Sequence, residues 1–499
     1  MKEATSLDIA LQELQLELDP DSGYIRWSPD NPKHPRNWPL ARKIYDIGII
    51  ILLECYTTAI STSGSAAARW SQERLGIGIT LAQFMFVSTY LLGQAVGNII
   101  FPPYSECFGR KKLYIVSTAA YSGLCAMIGA VNSPVAASVG RLLTGILSSI
   151  PTIIIVGSME DLFNAKDRIW TMLPYIGFAQ VGVSLGPVMS AYITMAWGWN
   201  WIFYIASIIT AAITILLLTI GESRPSLLLA HEVNLLKLKT GIDSLKALNP
   251  DKPPNWRMFL KTNVLRPLRL IFTEPIVFSI CVILGTALGI IYLLTEALPH
   301  IYEDMGLNEQ QSSLPFFAIG FAILLNIPGR IVDHRAASKK AKADHITSPE
   351  YKLKGLTFAA PVLALGLWWF AWTIPPMVEG VHWTASLFSL FAIGYGRNEL
   401  AIVLAGYVAD CYLSYSSGVF AGIGLTRAIM SAMFPLFSPQ MFKSLGSNFA
   451  VSVLAGAMTI FSVLPFLFRR YGKWLRERSR FAQYSVRVYK ENTVESDNT

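Results

Sequence analysis

The chain has 499 residues, of which 53% are hydrophobic and 15% charged, and its formal net charge is +8. Ordinary soluble chains carry roughly a quarter charged residues, so this composition excludes a disordered chain and a disulfide-knotted secreted domain and argues against a soluble multi-domain enzyme. The apolar content would fill twelve membrane helices of about 20–22 residues.

In chain order, residues 1–43 are polar and punctuated by prolines at Pro32 and Pro39. They read as a flexible cytoplasmic arm with no cleavable leader. Apolar stretches follow at 44–65, 81–101, 113–132, 135–159, 171–195 and 201–220. A polar, basic segment occupies 221–274. Six further apolar stretches lie at 275–298, 312–332, 355–375, 384–408, 416–438 and 446–468, and a basic, polar tail runs from 469 to 499. The expected fold class is therefore an all-α polytopic membrane protein. Its parts are an N-terminal six-helix bundle (44–220), a cytoplasmic central loop (221–274), a C-terminal six-helix bundle (275–468) and a cytoplasmic tail (469–499). A duplicated half is common in transporters.

The distribution of basic residues sets the orientation. Of 41 Lys and Arg, 35 fall in segments on one side of the twelve spans. Arg69, Arg74 and Lys443 fall on the other, and Arg141, Arg397 and Arg427 lie inside spans. The positive-inside rule then places both termini in the cytoplasm. It also accounts for the positive charge without nucleic acid.

Charges inside a bilayer are costly and are functional candidates by default. Glu54 lies near the middle of span 1, and Thr57, Thr58, Ser61 and Ser65 follow on the same helical face. That face either lines a cavity or bonds neighbouring helices. Span 2 carries Tyr90, Gln94, Gly97 and Asn98 on one face, and span 7 carries Gly285, Gly289, Tyr292 and Glu296. Arg397 and Glu399 in span 10 are two residues apart, about 200° around a helix, so each needs another partner. Arg141 and Arg427 pose the same question. Each arginine is a buried structural ion pair or a site that handles protons or anions. The five cysteines have no metal-like spacing and read as packing residues. No phosphate-binding loop or hydrolase signature is present, so no cofactor is expected and a proton gradient is the expected energy source. Neither a metal site nor enzymatic activity is expected.

The loop after span 2, Pro102-Pro103-Tyr104-Ser105-Glu106-Cys107-Phe108-Gly109-Arg110-Lys111-Lys112, resembles the signature loop of the major facilitator superfamily. Glu106, Gly109 and Arg110 match, with Glu106 where the family usually has aspartate and Pro102 where it has glycine. The loop after span 8, Gly329-Arg330-Ile331-Val332-Asp333-His334-Arg335, keeps the glycine and aspartate that the first half altered. The resemblance implies that Glu106, Gly109, Arg110 and Asp333 form a gating latch. Arg141-Leu142-Leu143-Thr144-Gly145 resembles the family's second motif, whose arginine is linked to proton movement. Gly182, Gly186 and Pro187 resemble its antiporter motif.

Asn37-Trp38-Pro39, Trp199-Asn200-Trp201, Glu222-Ser223-Arg224-Pro225, Tyr407-Val408-Ala409-Asp410 and Phe434-Pro435-Leu436-Phe437 occur in the order found in the fungal twelve-span drug:proton antiporters. The resemblance implies a major facilitator fold of two six-helix bundles around a central cavity. It further implies proton-coupled efflux of a small organic molecule, a drug, toxin or secondary metabolite, across the plasma membrane. On that reading Glu54 and Glu296 are the proton-carrying candidates and Arg141 a modulator. Thr58, Ser61, Tyr90, Gln94, Tyr292, Arg397, Glu399 and Arg427 line the pathway. The expected partners are a small-molecule substrate and the lipid bilayer, with the protein a monomer. A proton-coupled nutrient importer is the alternative reading, and a non-transporting membrane receptor the more distant one.

Overall fold

The structure is a computed structural model that describes residues 2–19, 23–163, 165–248, 256–341, 353, 355–377, 380–412, 416–479, 481 and 483. Within helices, the side chains of Asp333 and Asp410, among others, lie outside the described set. Twelve helices carry the apolar stretches. They are α1 (Leu40–Thr62), α2 (Ile79–Phe108), α3 (Arg110–Ala130), α4 (Pro134–Leu162), α5 (Trp170–Trp197), α6 (Asn200–Leu217), α7 (Pro275–Asp304) and α8 (Gln311–Val332). The shorter α9 (Leu356–Ala371) and α10 (Trp383–Ala409) follow. A single helical run, Ser416–Phe461, breaks at Gly446, whose φ of 76° and ψ of 160° only glycine adopts readily. The break leaves α11 (416–445) and α12 (447–461). The chain is a multi-pass membrane protein.

The halves repeat one packing scheme. α1 packs on α5, α2 on α4 and α3 on α6; correspondingly α7 packs on α11, α8 on α10 and α9 on α12. Close approach depends on small residues. A Cβ on Gly182 would sit 2.3 Å from the carbonyl oxygen of Cys55, and one on Gly186 would sit 2.2 Å from that of Ala59. These two glycines thus seat α5 directly on the backbone of α1. Each half has its own apolar core. One is centred on Leu53, Phe86, Ile154 and Phe203, the other on Ile280, Leu294, Leu367 and Leu404. The halves meet along α2–α11 and α5–α8. Outward-facing apolar side chains such as Val116, Ile208, Leu365, Phe388 and Ile460 are more than 60% exposed. They form the surface that lipid covers, since every backbone polar group of a helix is satisfied internally.

The N-terminal arm departs from expectation. It is not a free chain but packs on the central segment. A helix, Lys2–Leu14, leads into an antiparallel hairpin pairing Leu16–Leu18 with Ile25–Trp27. Ile25 also bridges to Ala247 and is fully buried. Leu11, Leu16 and Ile25 share a small core with Leu229, Val233 and Leu236 of the helix Pro225–Thr240. Lys33 Nζ lies 2.8 Å from Glu232 Oε1, and Trp27 Nε1 donates to the carbonyl of Pro225. The prolines suggested a flexible chain, but Leu7, Leu11 and Leu14 lie at helical spacing. Burying one such side chain contributes about 1.5–3 kcal/mol. We term the side carrying this assembly the basic face and the other the distal face.

Candidate functional site

The spans bring polar side chains of both halves together along their shared interface. Glu54 of α1 is buried, only 4% exposed. Its carboxylate accepts from Thr152 Oγ1 of α4 at 3.0 Å and from Thr58 Oγ1, one turn on, at 3.4 Å. Gln94 of α2 donates to Thr152, and Tyr175 of α5 donates to the Thr152 carbonyl at 2.8 Å. Arg427 of α11 lies within electrostatic range of Glu54, Tyr175 and Tyr292. Across the interface, Arg397 of α10 donates through Nη1 to Gln180 Oε1 of α5 and to Asn398 Oδ1. Arg397 and Arg427 are within range of each other. The central group is thus Glu54, Thr58, Gln94, Arg397 and Arg427 from the sequence-based set, joined by Thr152, Tyr175, Gln180 and Asn398.

Toward the distal face a second group closes the interface. Ser61 of α1 and Tyr292 of α7 share a 2.8 Å hydrogen bond. Ser88 of α2 donates to the Ala432 carbonyl of α11 at 2.6 Å. Glu296 of α7 accepts from Nε2 of Gln83 on α2; both are buried, at 4% and 0% exposure. Arg69 pairs with Glu303 at 3.5 Å, and Gln440 donates to Thr80 at 2.6 Å. Each of these contacts joins the first half to the second, so the distal face is closed.

Several expected site residues lie elsewhere. Arg141 is fully buried but within the first bundle and among the described residues has no carboxylate partner. Its Nε donates to the Phe86 carbonyl at 2.8 Å, and its guanidinium lies 4.3 Å from the centre of the Tyr90 ring. A π-turn over Phe84–Ser88 shifts the backbone ladder at that point in α2. Held by backbone carbonyls and ring faces, this cation fixes α2 against α4 and has no carboxylate among the described residues to form an ion pair. Tyr90 donates to the Thr57 carbonyl within the same bundle. Glu399 is not part of the central group. It sits nearer the basic face and accepts from Asn326 and from Arg330 of α8. Gly182, Gly186 and Pro187 lie on α5, the glycines facing α1.

The expected latch is also rearranged. Glu106 is exposed and pairs with none of the described residues. Gly109, with φ of 88°, joins α2 to α3 so sharply that Arg110 turns inward. Arg110 Nε lies 2.6 Å from Asp161 Oδ2 at the end of α4, and Arg224 approaches the same carboxylate at 3.7 Å. The Glu222 carboxylate accepts from the backbone N–H groups of Arg110 and Lys111, at 3.0 and 3.1 Å. It thereby caps the N-terminus of α3, where a negative charge is favoured. The φ of 88° at Gly109 is one that residues with a Cβ adopt only under strain, and a Cβ there would also displace Glu222 Oε2, 2.6 Å away. The acid that Arg110 meets is thus Asp161 and not Glu106. The side chain of Asp333 lies outside the described residues.

Sequence reading missed Gln83, Thr152, Gln180, Asn398, Asp161 and Glu222 as partners. The two glutamines and Asn398 were visible as uncharged polar residues inside spans. Asn398 even stands between Arg397 and Glu399. Their role depends on which span faces which, and that is settled only by the packing of the two halves.

The geometry agrees with comparison to known proteins. The chain is 28% identical to the major facilitator superfamily multidrug transporter FLU1 of Candida albicans, over 91% of this chain and 75% of that protein. It is likewise 28% identical to the efflux pump radE of Floropilus chiversii, over 95% of this chain and 88% of the pump. The MFS-type transporter penM of Penicillium rubens is 28% identical over 92% of this chain and 91% of its own length. The family description Major Facilitator Superfamily matches residues 49–412, spanning most of both halves. With twelve membrane helices in two like-packed bundles, the chain belongs to the Major Facilitator Superfamily.

Proposed function

We propose that the protein is a secondary active transporter that exports a small organic molecule across the plasma membrane in exchange for protons. The basic face, with both termini, is cytoplasmic. The relatives named as a multidrug transporter and an efflux pump support export. The observation that carries the coupling is the cross-half pair of Glu296 and Gln83. Gln83 Nε2 donates to the carboxylate, while Gln83 Oε1 is buried without a partner among the described residues. A protonated Glu296 has a hydroxyl to give to that acceptor, making a doubly hydrogen-bonded acid–amide pair. Burying a neutral acid also costs far less than burying a carboxylate. A proton taken up at the distal face therefore favours reclosing of that face after substrate has left. Alternating access then returns the protonated carrier inward. Glu54 is the second carboxylate, held by Thr58 and Thr152 beside Arg427. No cofactor takes part, and the protein acts as a monomer.

Everted membrane vesicles holding an interior-acid gradient test this. Neutral, anionic and cationic aromatic compounds are added in turn, and proton exit is followed with a quenchable amine dye. Compound-dependent proton exit that is lost in Glu296→Gln supports exchange. Proton exit that persists in Glu296→Gln and Glu54→Gln would show that neither carboxylate is the carrier.

A further inference from the structure

We infer that the central group binds an organic anion, a planar carboxylate or comparable acid, between Arg397 and Arg427. The inference rests on the transporter reading above and names its substrate class. Arg397 of α10 and Arg427 of α11 lie within electrostatic range of each other. The carboxylate within electrostatic range of Arg427 is Glu54, and it is already held by Thr58 and Thr152. Among the described residues, the groups that act on Arg397 are Arg427 and Tyr292, neither of them a carboxylate. Glu399, two residues away, is engaged by Arg330 and Asn326. Two cations against one carboxylate leave an excess positive charge in the membrane interior. Such a charge is costly unless a counter-ion joins it.

A second observation is independent of charge. Gln180 and Asn398 are 1% and 0% exposed, and both turn their carbonyl oxygens to Arg397 Nη1. That orientation fixes their amide nitrogens as donors, and both Gln180 Nε2 and Asn398 Nδ2 are buried without an acceptor among the described residues. Buried polar groups are rarely left unpaired. Here the unpaired groups beside the guanidinium are both donors, which is what an anionic acceptor requires. The fork of a guanidinium matches a carboxylate through two parallel bonds. The Tyr175 and Tyr292 rings near Arg427 suit a flat, aromatic body. Glu54 then competes with the bound acid for Arg427.

The full-length protein in phosphatidylcholine nanodiscs, which contain no anionic lipid, provides the test. Binding of 2-naphthoate, its methyl ester and 2-naphthylmethylamine is followed by ligand-induced thermal shift. The acid is expected to bind well ahead of the ester and amine. Arg427→Gln and Arg397→Gln should weaken the acid about ten- to a hundredfold, with little change for the ester. Arg427→Lys, which keeps the charge, should restore part of the affinity and guards against loss of fold. Glu54→Gln should tighten the acid, a change that a merely structural role would not produce. Adding phosphatidylserine should compete if the site also takes lipid headgroups, and leave binding unchanged if it is reserved for soluble acids. Equal binding of acid and ester, preference for the amine, no binding of the acid at millimolar concentration, or unchanged acid binding in both arginine variants would overturn the inference. Proton exchange driven by neutral compounds would still stand in that event, so the two readings fail separately.

Discussion

Glu296 of α7 accepts a hydrogen bond from Gln83 at the start of α2, so a carboxylate of one half is sealed against an amide of the other. The bond lies among the contacts that close the distal face. Glu296→Gln removes the titratable group but keeps its shape and can still pair with Gln83. The variant should fold and bind substrate, yet its transport should no longer respond to a pH gradient. Gln83→Leu removes both the donor and the free acceptor. It should weaken distal closure, and cysteines placed at the distal ends of α2 and α7 should become more accessible to membrane-impermeant thiol reagents.

The pair of Arg110 and Asp161 is a different case, because here two charged partners are buried together, near the basic face. Removing one member of a buried pair leaves an uncompensated charge and costs about 3–5 kcal/mol. Asp161→Ala should therefore lower the thermal midpoint and the yield of folded protein. Glu106→Ala should leave both close to unchanged, since its side chain is exposed and pairs with none of the described residues. Equal losses in the two variants would mean that Glu106, as the motif suggests, is the working acid.

Gly186 lets α5 rest on α1, and a Cβ there would lie 2.2 Å from the Ala59 carbonyl oxygen. Backbone cannot retreat as a flexible side chain can. Gly186→Val should cost at least the 1–3 kcal/mol typical of overpacking and reduce folded protein in membranes. Gly456, beside which nothing lies within 4 Å, is the comparison, and Gly456→Ala should be tolerated.

The twelve spans and their six-and-six division were legible because a span must be long and apolar whatever it packs against. The placement of individual charges was less so. Arg397 and Glu399 could be seen to point apart, but that Arg397 meets Gln180 and Glu399 meets Arg330 depends on contacts between helices far apart in sequence. The arm was misjudged for a related reason. Its few apolar residues look sparse until the helix Pro225–Thr240, some 200 positions away, supplies Leu229, Val233 and Leu236. Glu106 shows the limit of motif matching. The spacing was right, yet the turn at Gly109 directs Arg110 to Asp161.

Docking of the arm should depend on pH. His34 accepts a hydrogen bond from the backbone N–H of Arg36 through Nδ1 and packs edge-on against Trp27. Burial, with Arg36 and Lys43 nearby, holds its imidazole below the usual histidine range. The docked arm therefore favours the neutral ring. Its contribution is fully present above the ordinary histidine pKa of about 6.5 and is lost as pH falls through the lowered value. Hydrogen-exchange protection over residues 25–38, taken relative to the intrinsic rate at each pH, should fall on acidification, and His34→Gln should blunt that change.

Proton movement in reconstituted liposomes tests the central claim most directly. With purified protein inserted in one orientation and 2-naphthoate as the driven compound, outward naphthoate movement should accompany inward proton movement. Glu296→Gln should abolish the proton signal while naphthoate binding survives. Naphthoate movement of unchanged rate without a pH gradient, or an undiminished proton signal in Glu296→Gln, would contradict the account.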